Sequence, residues 1–355
     1  VTLRRLRKQI DALDRRLVAL LNERASLARS VGLLKEKRGF GVFSPEREEQ
    51  VYANVKTANC GPLSDESLRA ILREVLSGSR ALVKPVTVAY QGPALSFAHL
   101  AAQQVFGSQA SYLPCETIGD VFAEVEQRRQ DHGVVPIENS LEGTVGYTLD
   151  RLVETELVVV REVFQAIDHH LVGAVPVSKV KRLYLHPQAH AQCRRWLEMH
   201  LSGVKIIETL STSMAAAMAR EHLEDSAAVT NEEAARRNNL KFLARSIGDS
   251  AKNLTRFFVL SAAPASVTGR DKTSLVFSIK DRVGALHDML VPFKRYRINL
   301  TKIESRPSRR RAWEYYFFID LEGHLDQSQV EKAISSLRKK STWLKVLGSY
   351  PIGHV

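Results

Sequence analysis

Residues 3 to 34 place Leu3, Leu6, Ile10, Leu13, Leu17, Leu20, Arg24, Leu27, Val31 and Leu34 at spacings that alternate between three and four. That period commits the segment to one long helix with a single apolar stripe. Such a helix is roughly 50 Å long at about 1.5 Å per residue. No single small domain covers that length, so the stripe should pack against another chain. Arg24 is the only charge in the seam, and a charge there is costly unless paired, so it sets register or holds an anion. Arg7 and Arg24 lie about 25 Å apart along one helix and cannot grip the same small ligand from one copy. Two antiparallel copies could bring Arg7 of one to Arg24 of the other. Lys35 follows Arg24 by close to three whole turns, so the two project from nearly the same face and could bracket a compact dianion.

A second helix is expected from Ser44-Pro45-Glu46, which offers a cap, a first-position proline and an acid in the first turn. It carries Arg47 and Glu48. A third should start near Ser64-Asp65-Glu66 and run through Leu68, Ile71, Leu72, Val75 and Leu76 towards Pro85.

With 355 residues, the chain has room for two or three domains with real cores. No apolar run approaches the roughly 18 residues of a membrane span, and the charged N-terminus does not read as a secretory signal. Cys60, Cys115 and Cys193 are scattered and lack metal-ligand spacing, which favours a reducing cytoplasm. The net charge of +12 calls for an anionic partner. Arg306, Arg309, Arg310 and Arg311 form the densest basic cluster, but no nucleic-acid motif accompanies it and aromatics are not interleaved. Small anionic substrates account for the same sign.

From Pro85 the pattern changes to short apolar strands alternating with helices. Strands are expected at 86–90, 134–137, 157–164, 183–185, 204–207, 227–230 and 257–261, with helices near 97–106, 119–129, 189–200 and 212–222. This is the grammar of a doubly wound α/β sheet, where ligands sit beyond strand ends. Ser96-Phe97 and Ser211-Thr212-Ser213 open helices whose N–H groups cap or bind anions. Thr255-Arg256 sets a hydroxyl and a guanidinium side by side at the mouth of an apolar strand, a pair suited to an anion that must lose water. Residues 273–350 read as strand, helix, strand, strand, helix, strand, a ferredoxin-like α+β unit.

The three-helix segment, about residues 1–83, resembles the all-helical chorismate mutases. On that resemblance Arg7, Arg24, Lys35, Arg47, Glu48 and Ser79 fall on binding positions: the arginines hold carboxylates, Lys35 donates to the ether oxygen, and Glu48 accepts from the substrate hydroxyl. Ser44 stands where aspartate is common. Val83 replaces a glutamine or protonated glutamate that would give the second donor to the ether oxygen. Val135-Pro136-Ile137-Glu138-Asn139-Ser140 with Gly143, His186-Pro187-Gln188, Gln192-Cys193 and Thr255-Arg256-Phe257 resemble prephenate dehydratase. That implies a two-lobed, periplasmic-binding-protein-like α/β domain in which Thr255, Asn139 and Gln192 act on prephenate while Ser96, Ser140 and Arg256 hold it. Leu95, Ala98 and Leu185 depart from the usual glycine, serine or threonine, and serine. Gly284-Ala285-Leu286, Asn299-Leu300 and Glu304-Ser305-Arg306-Pro307 resemble the phenylalanine-binding ACT domain, with Val283 in place of proline.

In that order, the segments resemble the bifunctional chorismate mutase–prephenate dehydratase family over essentially the whole chain, with domains at 1–84, 85–264 and 270–355. The resemblance implies chorismate and prephenate as substrates, phenylalanine as effector, a cytoplasmic homodimer or homotetramer, and no metal, cofactor, nucleic-acid or membrane partner. Two alternatives stay open: a dehydratase whose helical domain only dimerises, and a non-catalytic phenylalanine-binding regulator.

Overall fold

The computed structural model describes residues 2–38, 41, 43–280, 282–308 and 314–354. Arg309–Arg311, the core of the basic cluster, and Trp313, the expected start of a strand, lie outside the described residues. The chain divides into two compact units, residues 1–87 with 103–111, and residues 88–102 with 112–355.

In the first unit, α1 (Leu3–Lys37), α2 (Pro45–Ala58) and α3 (Asp65–Ala81) form the helical domain. Leu3, Leu6, Ile10, Leu13, Leu17, Leu20, Leu27, Val31 and Leu34 remain exposed, so the chain leaves its own heptad seam uncovered. Ser64 caps α3 by accepting from the Ser67 N–H at 3.1 Å. The cap expected of Ser44 is not made: its hydroxyl donates to Glu46 Oε1 at 2.5 Å, two residues along.

Apart from Thr87 and residues 103–111, which belong to the first unit, two α/β lobes and a C-terminal domain make up the second. The first lobe runs β1 (Thr87–Gln91), α4 (Phe97–Phe106), β2 (Ser111–Cys115), α5 (Ile118–Glu126), β3 (His132–Asn139), β4 (Gly143–Thr144), α6 (Gly146–Glu154) and β5 (Val158–Ala166). The second contains β6 (His170–Gly173), β7 (Arg182–Leu185), α7 (Pro187–Gln192), α8 (Arg194–His200), β8 (Lys205–Glu208), α9 (Thr212–Glu221), β9 (Ser226–Thr230), α10 (Glu232–Arg237) and β10 (Lys241–Ala244). The chain then returns to the first sheet as β11 (Leu254–Ser261). Sheet orders are β2-β1-β3-β11-β5, with β4 on β3, and β10-β6-β9-β7-β8. Strand β11 is antiparallel to both β3 and β5, bringing Thr255 opposite Asn139. The helix expected over 189–200 is two pieces, α7 and α8, which meet at Cys193 (ψ 11°).

The C-terminal domain is β12 (Asp271–Ser278), α11 (Ala285–Arg295), β13 (Leu300–Pro307), β14 (Tyr315–Glu322), α12 (Ser328–Arg338) and β15 (Trp343–Pro351), with sheet order β13-β14-β12-β15. This is the expected βαββαβ unit. One face of its sheet joins the first lobe: Val276, Tyr316, Phe318, Leu347 and Tyr350 share an apolar core with Val159, Phe258 and Leu260. Gly348 (φ +155°) lets β15 pass against β5, since a Cβ there would overlap the Val159 backbone.

Candidate active sites

The helical domain encloses a cavity of about 310 Å³. Each helix lines it with one stripe: Arg24, Ala28, Val31 and Lys35 from α1, Arg47, Glu48 and Val51 from α2, and Leu76, Ser79, Arg80 and Val83 at and beyond the end of α3. The i, i+3/i+4, i+7 spacing puts these residues on common faces. Among the described residues lining it, Arg24, Lys35, Arg47 and Arg80 are set against one carboxylate, Glu48, which suits a dianion. Burial, then the Arg47 charge, lowers the Arg24 pKa, as expected where cations gather around room for an anion. Arg24 Nη1 donates to Ser79 Oγ at 3.1 Å, and Ser79 donates to the Val75 carbonyl at 2.7 Å. Arg7 is exposed and does not line this cavity. Spacing had picked out Arg24 and Lys35 but not Arg80, which lies one turn before Val83 on the same stripe.

Between the two lobes, a chain of hydrogen bonds fixes the Thr255 hydroxyl. Asn139 Oδ1 accepts from the Leu141 and Glu142 N–H groups at 2.9 and 3.1 Å. Backbone N–H groups only donate, so the amide orientation is set and Nδ2 must be the donor. It gives one bond to Thr255 Oγ1 at 2.9 Å and one to Asn253 Oδ1 at 2.8 Å. Asn253 Nδ2 donates to Gln192 Oε1 at 2.9 Å, Gln192 Nε2 donates to Glu142 Oε1 at 2.7 Å, and Gln192 Oε1 also meets His169 Nε2 at 2.9 Å. His169 therefore carries its proton on Nε2. Burial lowers its pKa, against the bond to Gln192 and the Asp168 charge, which raise it; the ring is neutral. With Asn139 occupying a lone pair on Thr255 Oγ1, the hydroxyl proton is left to be donated elsewhere.

Other residues singled out in the sequence have local roles in this cleft. Ser96 Oγ donates to the Gln91 carbonyl at 3.1 Å and accepts from the His99 N–H at 3.4 Å. Ser140 Oγ donates to the Lys252 carbonyl at 3.1 Å and accepts from the Leu254 N–H at 3.0 Å. His186 and Ser211 cap α7 and α9. Leu95 sits at φ +64°, a left-handed position that favours glycine. Its carbonyl accepts from Asn231 Nδ2 at 2.8 Å, a bond that joins the lobes. Sequence reasoning missed Asn253, His169 and Glu142. His169 and Asn253 are polar residues where the chain crosses between lobes, and Glu142 lies in the turn between β3 and β4.

Family profiles match in order: chorismate mutase type II over residues 6–84, prephenate dehydratase over 88–265 and ACT domain over 273–339. The bifunctional chorismate mutase/prephenate dehydratase of Aquifex aeolicus is 46% identical over 354 residues, covering 98% of each chain. The chain belongs to the bifunctional chorismate mutase/prephenate dehydratase family. The Stutzerimonas stutzeri protein of the same description is 40% identical over 356 residues, 98% of this chain and 97% of that protein. A prephenate dehydratase from Arthrobacter aurescens, solved in complex with L-Phe, is 35% identical with a TM-score of 0.69, covering 75% of this chain and 90% of the other.

Arg256 lies where the dehydratase and ACT domains meet, away from the cleft. Its Nε donates to Glu162 Oε2 at 2.7 Å, Nη1 to Asp320 Oδ2 at 2.6 Å and Nη2 to Tyr350 Oη at 3.1 Å. Lys272 Nζ completes the cluster against Glu162 at 2.9 Å. Burial acts against the Arg256 charge, but Tyr350, Asp320 and Glu162 outweigh it and the pKa is raised. A grip on a substrate carboxylate, expected from adjacency to Thr255, has no support in this geometry: consecutive residues of a strand face opposite sides.

The effector segments lie on two elements of the ACT domain. Gly284 (φ +75°) precedes α11, which begins with Ala285 and Leu286. On β13, which begins at Leu300 just after Asn299, residues alternate. Glu304 Oε2 accepts from Thr144 Oγ1 at 3.1 Å and Arg306 donates twice to Asp150 at 3.2 Å, both across to the dehydratase domain. Ser305 is exposed on the other side.

Proposed function

We propose that the helical cavity rearranges chorismate to prephenate and that the cleft between the lobes converts prephenate to phenylpyruvate. The first reaction needs no nucleophile or proton transfer. Arg24 and Arg47, with Arg7 from a second copy, would hold the carboxylates, and Lys35 would stabilise charge developing on the ether oxygen. Val83 offers no second donor there, which favours a slow mutase.

In the second reaction the ring carboxylate leaves as carbon dioxide. The released electron pair forms the last double bond of the aromatic ring, and the departing hydroxyl leaves as water after accepting a proton. Aromatisation drives the step, so the protein has to orient the substrate and assist the leaving group. Thr255 is assigned that assistance, Asn139 its orientation, and Gln192 the alignment of Asn253 and Glu142. The observation that carries this assignment is the Asn139-to-Thr255 bond, which leaves the threonine proton directed by exclusion towards a ligand. Ser96 and Ser140 order the cleft walls and present backbone to the substrate.

Phenylalanine is assigned to the segments Gly284–Leu286 and Glu304–Arg306. The contacts of Glu304 with Thr144 and of Arg306 with Asp150 support a restraint on the loop that follows Asn139. A second copy is assigned to the uncovered α1 seam. Initial rates measured separately with chorismate and with prephenate test both activities. Phenylpyruvate formed from prephenate, and suppressed by phenylalanine, is the expected result; no product from either substrate would leave the non-catalytic alternative.

A further inference from the structure

We infer that Arg80 is a positioning residue of the mutase cavity: it holds Glu48 ionised and oriented to accept the substrate hydroxyl. The inference rests on the assignment of that cavity to chorismate. Both side chains are buried, with Arg80 8% and Glu48 5% exposed. Arg80 Nη1 donates to Glu48 Oε1, and its Nη2 donates to the Phe106 carbonyl at 2.7 Å, so the guanidinium is held at two points. Phe43 lies beneath it, 5.6 Å from ring centre to Cζ.

A buried ion pair is weak evidence for a purely stabilising role, because desolvation of both charges largely offsets their attraction. Its position in the cavity wall gives it another use. A carboxylate that must accept a hydrogen bond has to be ionised, and burial alone favours its protonated form. Among the described residues, the cations that line the cavity with Glu48 are Arg24 and Lys35 from α1, Arg47 from its own helix and Arg80 from α3. Arg80 bonds Glu48 directly. Arg24 is committed to Ser79 and Arg47 Nη1 to Gln50 Oε1 at 2.6 Å, leaving their remaining donors to the substrate carboxylates.

The test is the pH profile of chorismate rearrangement for the parent, Arg80→Met and Arg80→Lys, with the dehydratase rate of each preparation as the check on folding. In Arg80→Met, kcat/KM at neutral pH should fall between about tenfold and 10²-fold, and activity should rise with pH as Glu48 is forced to ionise. Arg80→Lys, which keeps a cation on the same stripe, should restore most of the flat parent profile. Should Arg80→Met fail to fold, Arg80→Met combined with Glu48→Gln removes both charges; its mutase rate should be low and independent of pH. A folded Arg80→Met with the parent's rate and profile overturns the inference while leaving the cavity assignment standing, as does a double variant with the parent's rate. A parent that makes phenylpyruvate from prephenate but never rearranges chorismate overturns both.

Discussion

Thr255 and Arg256, consecutive in β11, serve opposite sides of the same strand: the hydroxyl accepts from Asn139 at 2.9 Å in the cleft, and the guanidinium donates to Asp320 at 2.6 Å in the ACT domain. The strand thus has the proposed proton donor on one face and the domain junction on the other. Any movement of the ACT domain that displaces Asp320 or Tyr350 acts on the residue next to Thr255.

Removing the Arg256 charge should therefore affect stability and regulation before chemistry. Arg256→Met leaves Asp320 buried without this partner and Glu162 with Lys272, and should cost about 3–5 kcal/mol. Asp320→Asn, a milder change, should keep the prephenate rate within a few-fold of the parent while weakening inhibition by phenylalanine. Denaturant titration checks the first statement and a phenylalanine dose–response the second. An unchanged dose–response in Asp320→Asn would separate this cluster from regulation.

Val83 packs against Gly32, where an added Cβ would overlap its methyl groups, and it faces the mutase cavity. Val83→Gln extends a donor from that wall. The mutase kcat should rise, by up to about 10²-fold if the geometry is good, and the dehydratase rate should not change. A loss of mutase activity would mean the valine is there for fit, not as a missing donor.

The α1 seam is a prediction about assembly. Leu13 and Leu17 are 58% and 55% exposed on one face of α1, so Leu13→Glu with Leu17→Lys should leave the monomer folded. Sedimentation should show the parent as a dimer or larger and the variant as a smaller species. Parent and variant of equal mass would refute the assigned partner.

Acid should destabilise the cleft. Burial lowers the pKa of His169, and likewise those of His99, His170 and His186, below the ordinary value of about 6.5. The unfolded chain then binds more protons than the native one below that value, so stability rises with pH there and is lost as pH falls from about 6.5 towards the lowered native pKa. The thermal midpoint should drop between pH 7.5 and 5.5, and His169→Gln should drop less steeply. Parallel slopes would remove His169 from this effect.

Much of this architecture is legible in the residues, for identifiable reasons. The α1 heptads and the βαββαβ pattern are long periodic signals, and their elements fall close to where they were expected. Short elements without such periodicity, β2, β6, β10, α6 and α10, were not. On α3 the spacing gives an apolar stripe through Leu76 but not the cavity lining, Ser79 and Val83 stand out only through the family resemblance, and nothing in the pattern singles out Arg80. The separation of Thr255 from Arg256 follows from the two-residue repeat of a strand, which outweighs adjacency in sequence. Asn253, His169 and Glu142 meet only when the lobes close on one another, and nothing local to each announces it.

The most direct test of the account is the rate of phenylpyruvate formation by Thr255→Val. That change removes the hydroxyl, keeps the side-chain volume and leaves Asn139 able to donate to Asn253. The kcat on prephenate should fall by about 10²-fold or more, with chorismate rearrangement in the same preparation unchanged. Undiminished phenylpyruvate formation by that variant would contradict it.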